Sequence, residues 1–293
     1  MSQIEISQLP PPEVVKLLDA RFIRERMLKR YAELSQVSVP KVGDPIYNAF
    51  SSMSEEVTRA RQEFQDISLE NMVAYATGTN LQRLADWRPV EKFENETEEE
   101  FRRRVQMAPE GFSTAGPDGA YIFHALAADE DVLDAKVHSP DGFKVELYIL
   151  SRTGNGVASE ALRQKVFEYV STKTKRPLND ELSVLSATIK EYSIEVELDL
   201  PNGPGESETL AVASKRLRSL ADETHRLARN VSLSLIDAAA HVQKDDSENT
   251  VSFQPVEDVD IVSPSAKIVC GISEAPYCTG IVVRQKGVPV ESA

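Results

Sequence analysis

Between Ile46 and Ile67 the apolar positions recur at alternating intervals of 4 and 3: Ile46, Phe50, Met53, Val57, Ala60, Phe64 and Ile67. A repeat of this kind sustained for three heptads is the pattern of a narrow helical seam that packs against other helices. A helix lying on the side of its own domain shows a wider apolar stripe. Here the positions between are mostly polar, among them Ser51, Ser52, Glu55, Glu56, Arg59, Arg61, Gln62, Glu63, Gln65 and Asp66. Asp44 before Pro45 supplies a side-chain cap and a preset first turn. The seven apolar residues are therefore read as a helical bundle interface. The partner helix comes either from the same chain, where a helix from Glu13 to Leu34 is available, or from another chain.

The flanking pattern is helical too. Pro10, Pro11 and Pro12 close a short extended arm and open the Glu13–Leu34 helix. After the seam, Ser68–Trp87 reads as continuing helical, with Gly78 as a C-cap and Asn80–Asp86 as a further turn or two. The acidic run Glu91, Glu94, Glu96, Glu98, Glu99, Glu100 contains a capping-box signature in Thr97 and Glu100. Glu98, Glu99 and Glu100 each precede an arginine by four residues (Arg102, Arg103, Arg104), which supports a helix by about 0.2–0.5 kcal/mol per pair. The run is read as a helix start. Gly111–Gly119 is then a loop, followed by a helix through Ala120–Ala128.

From Lys136 the period changes. Val145, Leu147 and Ile149 alternate with Glu146 and Tyr148, and Ile194, Val196, Leu198 and Leu200 alternate with Glu195, Glu197 and Asp199. One buried and one wet face predicts an antiparallel or mixed sheet. Each strand opens a unit of about fifty residues. The first has the strand Lys144–Ser151, the turn Gly154-Asn155-Gly156, the helix Val157–Thr172 and a strand from Leu182. The second has the strand Ser193–Leu200, the turn Pro201-Asn202-Gly203-Pro204-Gly205 and a helix from Glu206 to Leu227. A helix at Leu233–His241 and strands at Val251–Pro255, Lys267–Cys270 and Ile281–Arg284 follow. The fold class is α+β: a helical N-terminal region, repeated strand–helix units packed as a small sandwich, and a small C-terminal β region. Residues 1–90 form the bundle region, 91–140 a connector with Pro109–Gly142 as the joint, 141–245 the repeated module and 246–293 the C-terminal region.

The balance of charge narrows the function classes. With 47 acidic against 33 basic residues the chain carries a formal −14, and both nucleic-acid backbones and anionic lipid would repel it. The densest basic cluster, Arg21, Arg24, Arg26, Lys29 and Arg30, alternates with Glu25 and Glu33 and is read as a solvated helix face. The start of the chain has no basic, apolar signal-peptide pattern, and no run reaches the length of a membrane span. A cytoplasmic origin is expected. Cys270 and Cys278 fit no metal-knuckle spacing and are expected as reduced thiols.

Candidate chemistry centres on the Gly111–Gly119 loop. It has one residue too many for a G-x-S-x-G elbow, follows a helix, and lacks the G-K-[ST] end of a phosphate loop. Glycines serving a turn are the better reading, with an enzyme using Ser113 and Thr114 as the rival. None of His124, His138, His225 and His241 stands in a metal-ligand spacing, and His124 lies on an apolar helix where a satisfied interior or interface histidine is expected. Asp129, Glu130 and Asp131 lack the spacing of a calcium loop. Asp245, Asp246 and Glu248 read as a solvated turn, and the sequons at Asn95 and Asn230 have no secretory context. No cofactor and no metal are expected.

Several stretches resemble the baseplate J-like family of contractile-tailed bacteriophages: Ala76–Ala85 (ATGTNLQRLA), Glu98–Asp129, which includes PEGFSTAGPDGAYIFHALAAD, Ser151–Ser159 (SRTGNGVAS) and Arg176–Asp180 (RPLND). Ile6–Pro12 and Leu227–Ser234 fit as well. The resemblance covers nearly the whole chain, and its most specific block is Pro109–Gly142. It implies a structural wedge protein of a tail baseplate, assembled in the host cytoplasm and carried in the virion. It also implies its partners: a second copy of itself, a protein I-type wedge partner, a lysozyme-like wedge protein and the central hub or spike, with helices bundled and α/β domains joining wedges into a ring. A tailocin or phage-derived injection system is the alternative within the same class.

Overall fold

The computed structural model describes residues 10–88, 90–113, 115–172, 174–177, 179–201, 205–242 and 256–287. The chain divides into two compact units, residues 1–108 and 109–293.

The first unit holds α1 (Ala20–Ser35), α2 (Pro45–Leu69), α3 (Gly78–Asp86) and α4 (Glu98–Met107). Helix α2 starts where the sequence predicts, with the Asp44 carboxylate accepting from Ile46 N at 2.8 Å. Helix α1 starts later than Glu13. The Asp19 carboxylate accepts from Arg21 N at 2.6 Å, and that cap defines the boundary. Gly78 opens α3 instead of closing a helix from Ser68. The Glu70 carboxylate, just past the end of α2, accepts from Thr77 N (2.9 Å), Thr77 Oγ1 (2.8 Å) and Asn80 Nδ2 (3.2 Å). Those bonds fold the chain into a turn and hold the Glu70 carboxyl below the usual carboxylate range.

In α4 the Thr97–Glu100 capping box forms as predicted, and Glu98 pairs with Arg102 at 3.1 Å. The Glu100 carboxylate closes the cap, accepting from Thr97 N at 3.1 Å. Arg104 forks onto buried Glu96, Nε to Oε1 at 2.6 Å and Nη2 to Oε2 at 2.7 Å, and stacks 4.1 Å over Phe93. Arg102 also turns inward and donates to Ala76 O at 2.8 Å. Glu96, Arg102 and Arg104 are thus buried, in the unit whose buried apolar residues include Leu81, Ala85, Phe101 and Val105.

The second unit opens with a 3₁₀ turn (Glu110–Phe112) and α5 (Asp118–Ala128), then β1 (Val132–His138), β2 (Lys144–Ser151), α6 (Glu160–Val170) and β3 (Glu181–Ser186). It continues with β4 (Thr188–Asp199), α7 (Glu206–Thr224), α8 (Leu233–Ala240), β5 (Asp258–Ser263) and β6 (Glu274–Gln285). Two mixed sheets result, ordered β1-β2-β3 and β5-β4-β6. In each, the central strand has an antiparallel neighbour on one side and, on the other, a parallel strand reached through helices. This is the predicted repeat in three dimensions. Leu147 sits opposite Val137 and Val184, and Val196 opposite Ile261 and Val283. Alternate residues Tyr192, Ile194, Val196 and Leu198 of β4 are buried under Ala213 and Leu217 of α7 and Ile236 and Ala240 of α8.

Only Ala187 separates β3 from β4. Its N–H donates to Ile149 O at 2.9 Å, and that of Thr188 donates to Ser273 O at 2.8 Å. One extended run therefore serves both sheets, and Leu150, Ala187, Leu227 and Ala275 form a common apolar cluster.

Several boundaries differ from expectation. The segment 109–142 supplies α5 and β1, which pack on and pair with the first sheet, so it is built into the second unit and is not a free joint. Strands β5 and β6 pair with β4 and do not stand apart as a region of their own. The stretch 267–270 makes a bridge, Val231 to Ile268, and no strand. The turn residues Asn202, Gly203 and Pro204, the cluster Asp245, Asp246 and Glu248, and the strand expected at Val251–Pro255 lie outside the described residues.

Candidate functional site

Helix α2 meets its own chain with one face. Near its start, Phe50 packs edge-on against Tyr31 of α1 with ring centroids 5.8 Å apart, and Arg24 lies 5.0 Å over the Tyr47 ring. Ser54 is fully buried, its Oγ satisfied by Ser51 O at 2.7 Å. Further along, Gln65 is only 6% exposed. Its Oε1 accepts from Val14 N and Val15 N, both at 2.9 Å, and its Nε2 donates to Pro12 O at 2.8 Å. Arg61 Nη1 donates to Lys16 O at 3.1 Å, and Tyr75 Oη to Pro10 O at 3.3 Å. Tyr47, Ser54, Thr58, Arg61 and Gln65 fall on one side of a 3.6-residue helix, so α1 and the extended residues 10–18 are laid along the same side.

The heptad residues lie about a quarter-turn from that side. Ile46, Phe50 and Val57 are half-buried, while Ala60 is exposed and Met53, Phe64 and Ile67 are 52%, 58% and 64% exposed. In the single chain the most apolar stripe of α2 is thus its less covered one, and the buried residues of the helix are Ser54 and Gln65. Sequence reading missed those two because a buried polar side chain leaves no mark in an apolar pattern. Only the positions of its partners reveal it.

The glycine-rich loop is shaped by packing. A Cβ on Gly111 would lie 2.3 Å from the Phe123 ring, one on Gly116 2.8 Å from Pro177 Cγ, and one on Gly119 2.9 Å from Glu110 Cγ. Gly116 also has φ +76°, which favours glycine. Tyr121 Oη donates to Asp180 Oδ2 at 2.5 Å, and Arg176 Nη1 donates to Asp180 O. The GPDGAY and RPLND stretches therefore touch, and burial together with Asp180 pushes the Tyr121 phenol above its ordinary range. Ser113 Oγ accepts from Ala115 N at 3.3 Å, a local turn bond; Thr114 lies outside the described residues.

His124 is buried, as its apolar helix predicts, but it is not the satisfied histidine expected there, because both ring nitrogens are buried without a hydrogen-bond partner among the described residues. Its ring stands against Phe123 and Tyr169, with centroids at 5.4 and 6.4 Å. Burial, reinforced by Lys175, lowers its pKa to about 4. Cys270 and Cys278 are free thiols, both pushed up by burial. Among the described residues no group of three or more His, Cys, Asp or Glu side chains is placed to hold a metal ion, and no helix is long and apolar enough to cross a membrane.

The model of the Baseplate J-like central domain matches residues 113–186. Those limits run from the glycine loop to the last residue of β3, which is the first mixed sheet with α5 and α6. The chain is also 32% identical to Baseplate protein J of Escherichia phage P2, in a 302-residue alignment covering 95% of this chain and 96% of that protein. The chain belongs to the baseplate J-like family. As a baseplate J-like protein it is a structural component of a phage tail baseplate. The glycine block that carried the resemblance is the packed start of that family's central domain.

Proposed function

We propose that this baseplate J-like protein is a wedge component whose α2 stripe docks on helices of partner chains. The observation that carries the reading is the division of labour on α2. The chain's own contacts use the stripe only near its start, where Phe50 meets Tyr31, and then Ser54, Arg61 and Gln65, while Met53, Ala60, Phe64 and Ile67 stay exposed at heptad spacing. A stripe with that spacing accepts the knobs of another helix, and an apolar row left in water is unfavourable unless something covers it. The partners are a second copy of this chain and a protein I-type wedge protein. The second unit, with its two similar sheets, joins neighbouring wedges into a ring around the hub and meets the lysozyme-like wedge protein. The role is mechanical and involves no chemistry at the glycine loop.

Co-expression with the I-type partner tests this. Val57→Asp combined with Phe64→Asp places two carboxylates in the stripe and abolishes co-purification, while the second unit remains folded by circular dichroism and proteolysis. Normal co-purification of the double variant overturns the reading.

A further inference from the structure

Gln65 does something unusual for a glutamine on a surface helix: it uses both ends of its amide on the main chain of a segment about fifty residues away. Its oxygen takes the N–H groups of Val14 and Val15, and its nitrogen gives to Pro12 O. Arg61 and Tyr75 add main-chain contacts to Lys16 and Pro10. All five bonds end on backbone atoms, so the contact holds an extended segment without reading its side chains. Pro10, Pro11 and Pro12 restrict that segment to extended conformations beforehand, which lowers the entropy lost when it is held.

This contact occurs where α2 has little else to hold it. From Thr58 to Leu69 the side that carries Gln65 also presents Thr58, Arg61 and Leu69, and of these only the half-buried Leu69 is apolar. A stretch this short is a marginal helix in water unless it is packed. Yet Phe64 and Ile67, the most exposed large side chains of the stripe, lie in this stretch. They flank Gln65, and their spacing exists only while these turns are helical.

We infer that residues 10–18 form a strap whose closure on Gln65 keeps the last turns of α2 helical, and so holds Phe64 and Ile67 in register for a partner helix. The inference rests on the stripe being the docking face. The occupant is an apolar-striped helix of the co-assembling wedge partner. Strap closure and docking favour the same conformation, and each therefore strengthens the other. Gln65 is a positioning residue: it lies on the strap side of the helix and acts through its neighbours.

The test uses the full chain with Gln65→Ala, Gln65→Glu and Phe64→Asp. In the free protein, Gln65→Ala raises amide exchange across 62–69 by at least about tenfold, as loss of three hydrogen bonds implies, and exposes the bond after Lys16 to trypsin. Exchange across 46–57, under α1, stays unchanged. Gln65→Glu keeps the acceptor for Val14 and Val15 but loses the donor to Pro12 O, so its exchange falls between the two. Co-purification with the co-expressed I-type partner weakens in the same order. Phe64→Asp keeps the strap protected and loses the partner. Unchanged exchange and trypsin resistance in Gln65→Ala overturn the strap. Increased exchange with undiminished partner recovery overturns the coupling. Normal partner recovery by Phe64→Asp overturns the docking reading and leaves the strap standing.

Discussion

The main-chain N–H of Leu227 donates to the Asp134 carboxylate at 3.0 Å, with both residues buried and 93 positions apart in sequence. Asp134 belongs to β1 of the first sheet, and Leu227 to the connection between α7 and α8 above the second. Leu227 also enters the apolar cluster with Leu150, Ala187 and Ala275. One carboxylate thus ties the two sheets together at the point where β3 passes into β4. Asp134→Ala leaves a buried N–H without its acceptor and costs about 1–3 kcal/mol. Asp134→Asn keeps an oxygen at that place and costs less. Urea unfolding of the two variants checks the order; equal stabilities would show that the bond contributes nothing.

The glycines of the central block are required by close approach. Gly116→Ala pushes a methyl group into Pro177 at a left-handed backbone angle and destabilises the chain by about 1–3 kcal/mol. Gly111→Ala drives one into the Phe123 ring and behaves alike. Gly142→Ala meets nothing within 4 Å and leaves stability unchanged or slightly raised. Melting temperatures of the three variants settle whether packing explains the block.

His124 makes stability depend on acidity. Its folded pKa of about 4 lies below the ordinary 6.5, because burial and Lys175 disfavour the imidazolium. Unfolded chains therefore bind the proton more readily in the window between. Stability is intact above pH 6.5, declines as pH falls from there to about 4, and His124 adds no further loss below that. In His124→Phe this part of the decline disappears. Denaturation midpoints from pH 7 to 4 make the comparison, and parallel curves for the two proteins would rule it out.

The Arg104–Glu96 fork is the costliest interaction to break from one side. Arg104→Ala strands a buried carboxylate and removes the bond to Glu91 O at 2.6 Å, for a loss of about 3–5 kcal/mol. Replacing both partners, as Arg104→Met with Glu96→Leu, recovers most of it, because no charge is then left buried. A double-mutant cycle on the full chain reads the coupling, and additive losses would mean that the fork is not a unit.

Much of this was visible locally. Alternation from Val145 to Ile149 and from Ile194 to Leu200 placed β2 and β4. Asp44–Pro45 and Thr97–Glu100 placed two helix starts, and the glycine block identified the family. The misreadings share a cause. Gly78 looks like a helix end until Glu70 turns the chain around it, and Arg104 looks like a surface charge on α4 until it is found forked onto buried Glu96. Strands β1 and β5 escaped notice because their burial comes from neighbours far off in sequence.

What the sequence by itself determined is therefore periodic and local: the central strands β2 and β4, most of the helices, the caps of α2 and α4, and that α2 carries a heptad stripe. These depend on intervals of two, three and four residues, which geometry converts directly into faces. The tertiary structure decided which face of α2 is used at home, that Gln65 holds residues 10–18, and that Ala187 hands one strand from the first sheet to the second. Those outcomes depend on polar groups finding partners across tens of residues, and such pairings have no period to be read.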